Sequence, residues 1–98
     1  MSIKAGDYVI VRCKDAGVHS GVLVSYDGRT VELRESRRLW FWRVADGGAF
    51  LSGIAVFGLH PDSKVGVRVD IVLTESCEII RVEPDAQPSI RDAKDFKP

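Results

Sequence analysis

A period-two alternation of apolar and polar residues from position 7 to position 43 is the feature that most limits how this chain can fold. In its first segment, residues 8–13 (YVIVRC), Val9 and Val11 share one face of a strand, and Tyr8 and Ile10 make the other face partly apolar. Alternation at this period is typical of strands with a buried face. The chain is therefore predicted to be mainly β.

A turn signal divides this region into paired strands. Asp27-Gly28 within residues 26–29 tolerates the positive φ angles of a tight hairpin, so we expect the flanking strands to pair there. After Glu35-Ser36 a further strand is expected over residues 37–43, with Leu39 and Phe41 on one face. The opposite face of that strand would carry Arg38, Trp40 and Trp42.

The second half of the chain adds one helix and further strands. Apolar residues at helical spacing predict a short helix near 49–57, with Gly58 as its C-cap and with Phe50, Leu51, Ile54 and Phe57 as its apolar positions. Alternation returns over 67–73, and a last strand follows over 77–82.

Five to six strands with one inserted helix fit a small, strongly bent barrel, because closure hides the strand edges. The order of elements is similar to the small barrels of the Sm and Src-homology type, a likeness of fold only.

The length of 98 residues leaves room for a single core. Residues 1–83 are predicted to form one β-barrel domain. Residues 84–98 hold three of the four prolines and are expected to form an extended C-terminal arm that Ile90 and Phe96 anchor.

The balance of 14 basic against 14 acidic residues gives a formal net charge of zero. A neutral chain lacks the sequence-independent attraction to polyanions, so any such binding needs a local patch. Residues 1–49 carry eight basic and six acidic groups, and residues 50–98 carry six and eight. This mild polarity fits either head-to-tail self-association or a solvated mixed surface.

Several classes of protein are not expected. No apolar run approaches the ~20 residues of a membrane span, and the first residues lack the pattern of a signal peptide, so we expect a cytoplasmic protein without a membrane partner. Cys13 and Cys77 stand far apart without a CxxC partner, which predicts two reduced, buried thiols and no metal site. No motif for a cofactor is present either.

Arginine and tryptophan are concentrated around the strand over residues 37–43. Guanidinium groups bind phosphate in a bidentate manner, and indole rings offer flat surfaces for a nucleobase. The alternative is a subunit or protein interface, where Trp and Arg are also enriched. The candidate ligand-binding residues are Arg34, Arg37, Arg38, Trp40, Trp42 and Arg43.

No catalytic constellation is predicted. Cys13 and His19 would suit a thiolate–imidazole pair, but Cys13 is expected on the inward face and His19 at the surface beyond a turn. His60, next to Pro61, is expected to be a solvated turn residue rather than a metal ligand. We therefore expect no enzymatic activity.

The run Arg-Arg-Leu-Trp-Phe-Trp at residues 37–42 resembles the hallmark of a family of small proteins of unknown function encoded by bacteriophages and prophages. The resemblance covers about residues 8–90. It departs at residues 81–82, where a proline is expected, and at residues 44–46, which enlarge a loop. The further matching segments are residues 8–12 (YVIVR), 16–19 (AGVH), 21–23, 27–28, 51–55, 73–75 and 78–80.

The resemblance implies a phage or prophage origin and expression in the cytoplasm of a bacterial host, and it supplies no catalytic residues. Together with the Arg/Trp strand, it predicts a non-enzymatic accessory binding protein for an anionic nucleotide or nucleic acid, with counter-defence as one such role. The alternative is a protein-interaction or virion-associated structural module, a homo-oligomer that uses the same strand as its interface.

Overall fold

A computed structural model describes residues 2–98 and gives a mainly β architecture with two short helices. All strands pair antiparallel in a six-stranded sheet of order β4-β3-β2-β1-β6, with β5 also beside β3. The elements are β1 (Tyr8–Cys13), β2 (Val18–Asp27), β3 (Thr30–Phe41), α1 (Leu51–Phe57), β4 (Lys64–Val65), β5 (Val69–Leu73), β6 (Ser76–Arg81) and α2 (Gln87–Arg91).

The predicted hairpin is present between β2 and β3. Asp27 pairs with Thr30, and Gly28 between them has a φ of 59°, a left-handed conformation that glycine adopts without a steric penalty. The predicted break between two strands at Glu35-Ser36 is absent from the structure. β3 continues through it as one strand, and Glu35, with a φ of 54°, lies at a bulge.

The sheet buries apolar side chains on both faces. We call the cluster that contains Val9 and Val11 the inner core. Residues of β1, β2, β3 and β5 contribute to it. The cluster that contains Tyr8 and Ile10 is the outer core, to which both helices contribute residues on the opposite face of the sheet. This explains why Tyr8 and Ile10 are apolar on a face that would otherwise contact water. The buried members are Val9, Val11, Cys13, Leu23, Val31, Leu33 and Leu73 in the inner core, and Tyr8, Ile10, Val18, Leu39, Val44, Ile54, Ala55, Leu59, Val65, Val82, Ala86 and Ile90 in the outer core.

The strand pairings do not close into a ring. Within residues 2–98, β5 pairs only with β3 and β6 pairs only with β1. The mainly β prediction is thus confirmed, whereas closure of the sheet into a barrel is not.

Helix α1 is confirmed close to its predicted place, and Gly58 ends it with a φ of 88° and an N–H that donates to the Ile54 carbonyl at 2.8 Å. Its buried face differs from the predicted one. Phe50, which precedes the first turn, is 81% exposed and Phe57 is 60% exposed, while Ile54 and Ala55 contact the outer core. A helix of seven residues presents only about two turns to the sheet, which limits how many of its apolar residues are covered.

The C-terminal arm contains helix α2, which the sequence analysis did not predict. Ile90 in that helix is fully buried in the outer core. Farther along, the Phe96 N–H donates to the Val65 carbonyl at 2.8 Å, and Asp95 forms a parallel bridge with Val65. The arm is therefore part of the folded body rather than only an extended segment.

Candidate functional site

A bulge in β3 determines where the Arg/Trp segment points. Directly paired residues share a face of a sheet, and Leu33, which pairs with Leu23, belongs to the inner core. Leu39, also odd-numbered, belongs to the outer core. The extra residue at Glu35-Ser36 thus reverses the alternation of β3.

The reversal separates two of the predicted site residues. Arg34 pairs with Val22, which in turn pairs with Tyr8 on the outer-core face. Arg38 pairs with His19, which pairs with Val11 on the inner-core face. Both arginines are exposed, but the register assigns them to opposite faces of the sheet.

Arg37 is fully buried and acts as an anchor of the C-terminal arm. Its Nη1 donates to the carbonyls of Ile90 at 2.9 Å and Ala93 at 2.5 Å, and its Nε donates to the Gly66 carbonyl at 2.9 Å. Its Nη2 lies 2.6 Å from Asp95 Oδ1. Burial lowers the pKa of this guanidinium from its usual value, and the nearby Asp95 carboxylate opposes that change. Because these donors are already used within the protein, Arg37 is not available to a ligand.

Beyond the bulge, aromatic rings and a cation form one exposed cluster. Trp40, 58% exposed, stacks on Phe96 with ring centroids 5.1 Å apart and planes 16° apart. Lys64 Nζ lies 5.5 Å from the Trp40 ring centroid, 5.8 Å from that of Phe41 and 5.1 Å from that of Phe96. We call these residues, together with Arg38, the Trp40 surface.

Two shallow grooves meet at Arg38. The first groove, about 270 Å³, lies between the β1–β2 turn and the Arg38–Trp42 segment, with Asp15 and Val18 on its far side. The second groove, about 310 Å³, runs from His19 and Arg38 to β5 and Phe96. The Arg38 guanidinium makes no hydrogen bond or ion pair with residues 2–98, so it is free to bind a ligand in either groove.

Trp42 and Arg43 lie at the edges of this site. Trp42 is half-buried against the outer core and its Nε1–H donates to the Ala49 carbonyl at 3.1 Å, yet it also lines the first groove. Arg43 is directed elsewhere, because its Nη1 lies 3.2 Å from Asp62 Oδ2. Of the six predicted residues, the structure brings Arg38, Trp40 and Trp42 together and places Arg34, Arg37 and Arg43 outside the groove.

A larger cavity than either groove lies beside the Trp40 surface. Its volume is about 580 Å³, and we call it the C-terminal cavity because the arm forms one wall. Lys94 and Lys97 belong to that wall, His60 also lines the cavity, and Phe96 lines both this cavity and the second groove. The His60 Nδ1 is 2.7 Å from Asp62 Oδ1, so the ring is held by a carboxylate.

Sequence reasoning missed Lys64 and Phe96 as site residues. Phe96 was expected only to anchor the arm, and Lys64 stood in an unremarkable loop. No local pattern links them to Trp40, since they reach it through the β3–β4 pairing and the docking of the arm. The aromatic ring of Phe96 and the positive charge of Lys64 were the only sequence features that could have indicated them as site residues.

The residues considered for catalysis are mostly placed in the interior. Cys13 is buried, and burial raises its thiol pKa. His19, predicted to lie at the surface, is 2% exposed, because the β1–β2 pairing directs it to the inner-core face; its Nε2 lies 2.8 Å from the Ala16 carbonyl. The predicted burial of both thiols was wrong for Cys77, which is exposed.

Two classes of feature are not found in the described part of the chain. Residues 2–98 contain no group of three His, Cys, Asp or Glu side chains placed to hold a metal ion. No helix among them has the length and apolar character needed to cross a membrane.

Comparison with known proteins gives one match. The family model described as "Domain of unknown function (DUF6948)" matches residues 6–90, which includes the sheet, α1 and most of α2. No curated protein and no solved structure matches the chain significantly.

Proposed function

The chain belongs to the DUF6948 family, and we propose that it is a non-enzymatic accessory binding protein that recognises an anionic nucleotide or nucleic acid through the Trp40 surface. The observation that carries this proposal is the combination of an exposed indole, a lysine amine over three rings and an unpaired guanidinium between two grooves. Stacking against an aromatic ring is available to every base, and the cations suit phosphate.

The biological setting of this proposal rests on the resemblance to phage and prophage proteins at residues 37–42 and the segments around it. We propose that the protein acts in the cytoplasm of an infected or lysogenic bacterium. Nucleotides and nucleic acids are abundant there, and counter-defence is one role that binding them would serve.

We further propose that the sheet is a small, strongly bent barrel of the Sm and Src-homology type, open between β5 and β6. Two residues, Thr74 and Glu75, join these strands. Side chains from β5 and β6 pack against the same inner core, namely Leu73 and Ile71 from β5 and Ile79 from β6. The exposed side chains of Arg38 and Trp40, in the second half of β3, then form part of the binding surface.

The test is a titration of nucleotides and short oligonucleotides, followed by tryptophan fluorescence and anisotropy at fixed salt. Trp40→Ala should weaken binding by about 5- to 150-fold, the equivalent of the ~1–3 kcal/mol that a stacked base contributes. The matched control is Arg12→Ala on β1, which removes an exposed arginine paired with Glu78 at 3.3 Å and should bind like wild type. Absence of binding by the wild-type protein to every nucleotide and oligonucleotide would refute the proposal.

A second candidate function is a subunit or protein interface on the same strand. The observation in its favour is the apolar area near Trp40, since Phe41, Val67 and Val69 are 40%, 62% and 48% exposed. Light scattering distinguishes the two. A stable oligomer that Trp40→Ala dissociates, and that no anion protects from heat, would favour the interface over the nucleotide site.

A further inference from the structure

We infer that the ligand is a single-stranded oligonucleotide that crosses three adjoining depressions, rather than a mononucleotide or a duplex. This inference rests on the proposed function and specifies its ligand class. It follows from three observations: the adjacency of the depressions, the charges along them and the position of the aromatic rings.

The three depressions adjoin, because each shares a lining residue with the next. Arg38 lines both the first and the second groove, and Phe96 lines both the second groove and the C-terminal cavity. The two grooves, at about 270 and 310 Å³, are small and open, whereas the cavity is about 580 Å³. An extended, flexible ligand contacts all three, while a mononucleotide occupies only one.

Cations predominate along these depressions. Arg38 lies at the first junction and Lys64 beside the second, while Lys94 and Lys97 line the cavity. None of these four has an ion pair within residues 2–98. Asp95 in the cavity wall forms an ion pair with Arg37. Asp15 is the carboxylate that lines the first groove.

Aromatic rings alternate with these cations. Trp42 and Trp40 line the first groove, and Phe96, stacked on Trp40, lies where the second groove meets the cavity. Unpaired bases can stack on such rings while the phosphates contact the cations. In a duplex the bases are already stacked on each other, so the rings would gain no partner.

The experiment compares ligands of one base composition at one salt concentration: a mononucleotide, single strands of increasing length up to about ten nucleotides, a duplex and an abasic single strand, as DNA and as RNA. Affinity should rise at least about tenfold from the mononucleotide to a strand of about six nucleotides and then level off. The abasic strand and the duplex should each bind at least about tenfold more weakly than that strand.

A variant tests the contribution of the C-terminal cavity. Lys94→Gln with Lys97→Gln should weaken binding of the longer strand at least about fivefold, whereas Lys4→Gln with Arg12→Gln, the same change of charge at residues that line none of the three depressions, should not. Equal affinity for the mononucleotide and the longer strand would overturn this inference and leave the proposed function standing. Tighter binding of the duplex, or equal binding of a glutamate-rich peptide, would also overturn it. No binding of any nucleotide or strand would overturn both.

Discussion

At the scale of single residues, Arg37 was predicted to bind a ligand, but its contacts in the folded protein are structural. The same donors that would bind a phosphate instead bind the carbonyls at the end of α2 and the carboxylate of Asp95. The sequence Arg37-Arg38 thus places an anchor and a free cation next to each other, on opposite faces of β3.

Arg37→Met should lower the free energy of unfolding by about 3–5 kcal/mol, because it leaves Asp95 and several buried carbonyls without their partner. The measurement is urea unfolding followed by circular dichroism. Arg12→Met, which breaks an exposed ion pair, is the control and should cost no more than about 1 kcal/mol. A change at Arg37 no larger than that of the control would contradict the anchoring role.

His19 makes stability depend on pH. Burial lowers its pKa from the usual 6.5, against the opposing effect of the Ala16 carbonyl and with a further lowering by Arg38. Below pH 6.5 this histidine therefore binds a proton more readily in the unfolded chain than in the folded protein. Its contribution to the free energy of unfolding is present above pH 6.5 and is lost as the pH falls. The loss should approach about 1.4 kcal/mol for each pH unit in which only the unfolded chain is protonated.

The prediction is that His19→Gln flattens the fall in unfolding free energy between pH 7 and pH 5, measured by chemical denaturation at each pH. His60→Gln serves as the control for removal of an imidazole and should retain the fall caused by His19. An unchanged slope in His19→Gln would show that other groups produce the pH dependence.

At the scale of elements, the bulge in β3 requires a glycine on the neighbouring strand. A Cβ at Gly21 would lie 2.9 Å from the Arg34 carbonyl oxygen and 2.9 Å from Ser36 Cα, both backbone atoms that cannot move independently. Gly21→Ala should therefore destabilise the fold by about 1–3 kcal/mol. At Gly66 the nearest atom to an added Cβ is 3.6 Å away, so Gly66→Ala is the matched control and should be much milder in the same thermal-unfolding assay. Equal melting temperatures for the two variants would argue against a tight bulge.

The bulge also predicts that two arginines of one strand differ in function. Arg38→Ala should weaken nucleotide binding about tenfold, because it removes a charge-assisted contact in the groove. Arg34→Ala should change it less than about twofold, since its charge lies on the outer-core face and solvent screens it. Anisotropy titrations of both variants give the comparison. Equal losses would mean that the alternation of β3 does not reverse.

The elements that sequence reasoning predicted are those whose signal is local. Alternation in β1, the Asp27-Gly28 turn and the Gly58 cap each depend on neighbouring residues, and each is present. The bulge at Glu35 depends on strand pairing, so the sequence around it indicated only a break. Helix α2 is five residues long and includes Pro88, too short to produce a periodic apolar pattern.

At the scale of the whole molecule, the candidate site could be predicted only in part. Arg38, Trp40 and Trp42 follow from the strand itself, whereas Lys64 and Phe96 reach Trp40 through contacts between distant parts of the chain. The burial of Arg37 likewise depends on an arm that lies more than fifty residues away in sequence. Local composition gives no measure of such contacts, which hold Arg37 and Arg43 outside the groove, while the bulge in β3 places Arg34 outside it.

The net charge of zero then determines how binding by the whole protein should respond to salt. With no general attraction to a polyanion, only the phosphates that contact Arg38, Lys64 and the cavity lysines release counterions. With about two to four such contacts at ~0.7 per contact for a single strand, the logarithm of the binding constant should fall against the logarithm of salt with a slope between about −1.5 and −3. Anisotropy titrations between about 50 and 300 mM salt measure this slope. A slope steeper than about −5 would require a basic footprint that this neutral surface does not have, and a slope near zero would mean that the bound strand is held by its bases alone.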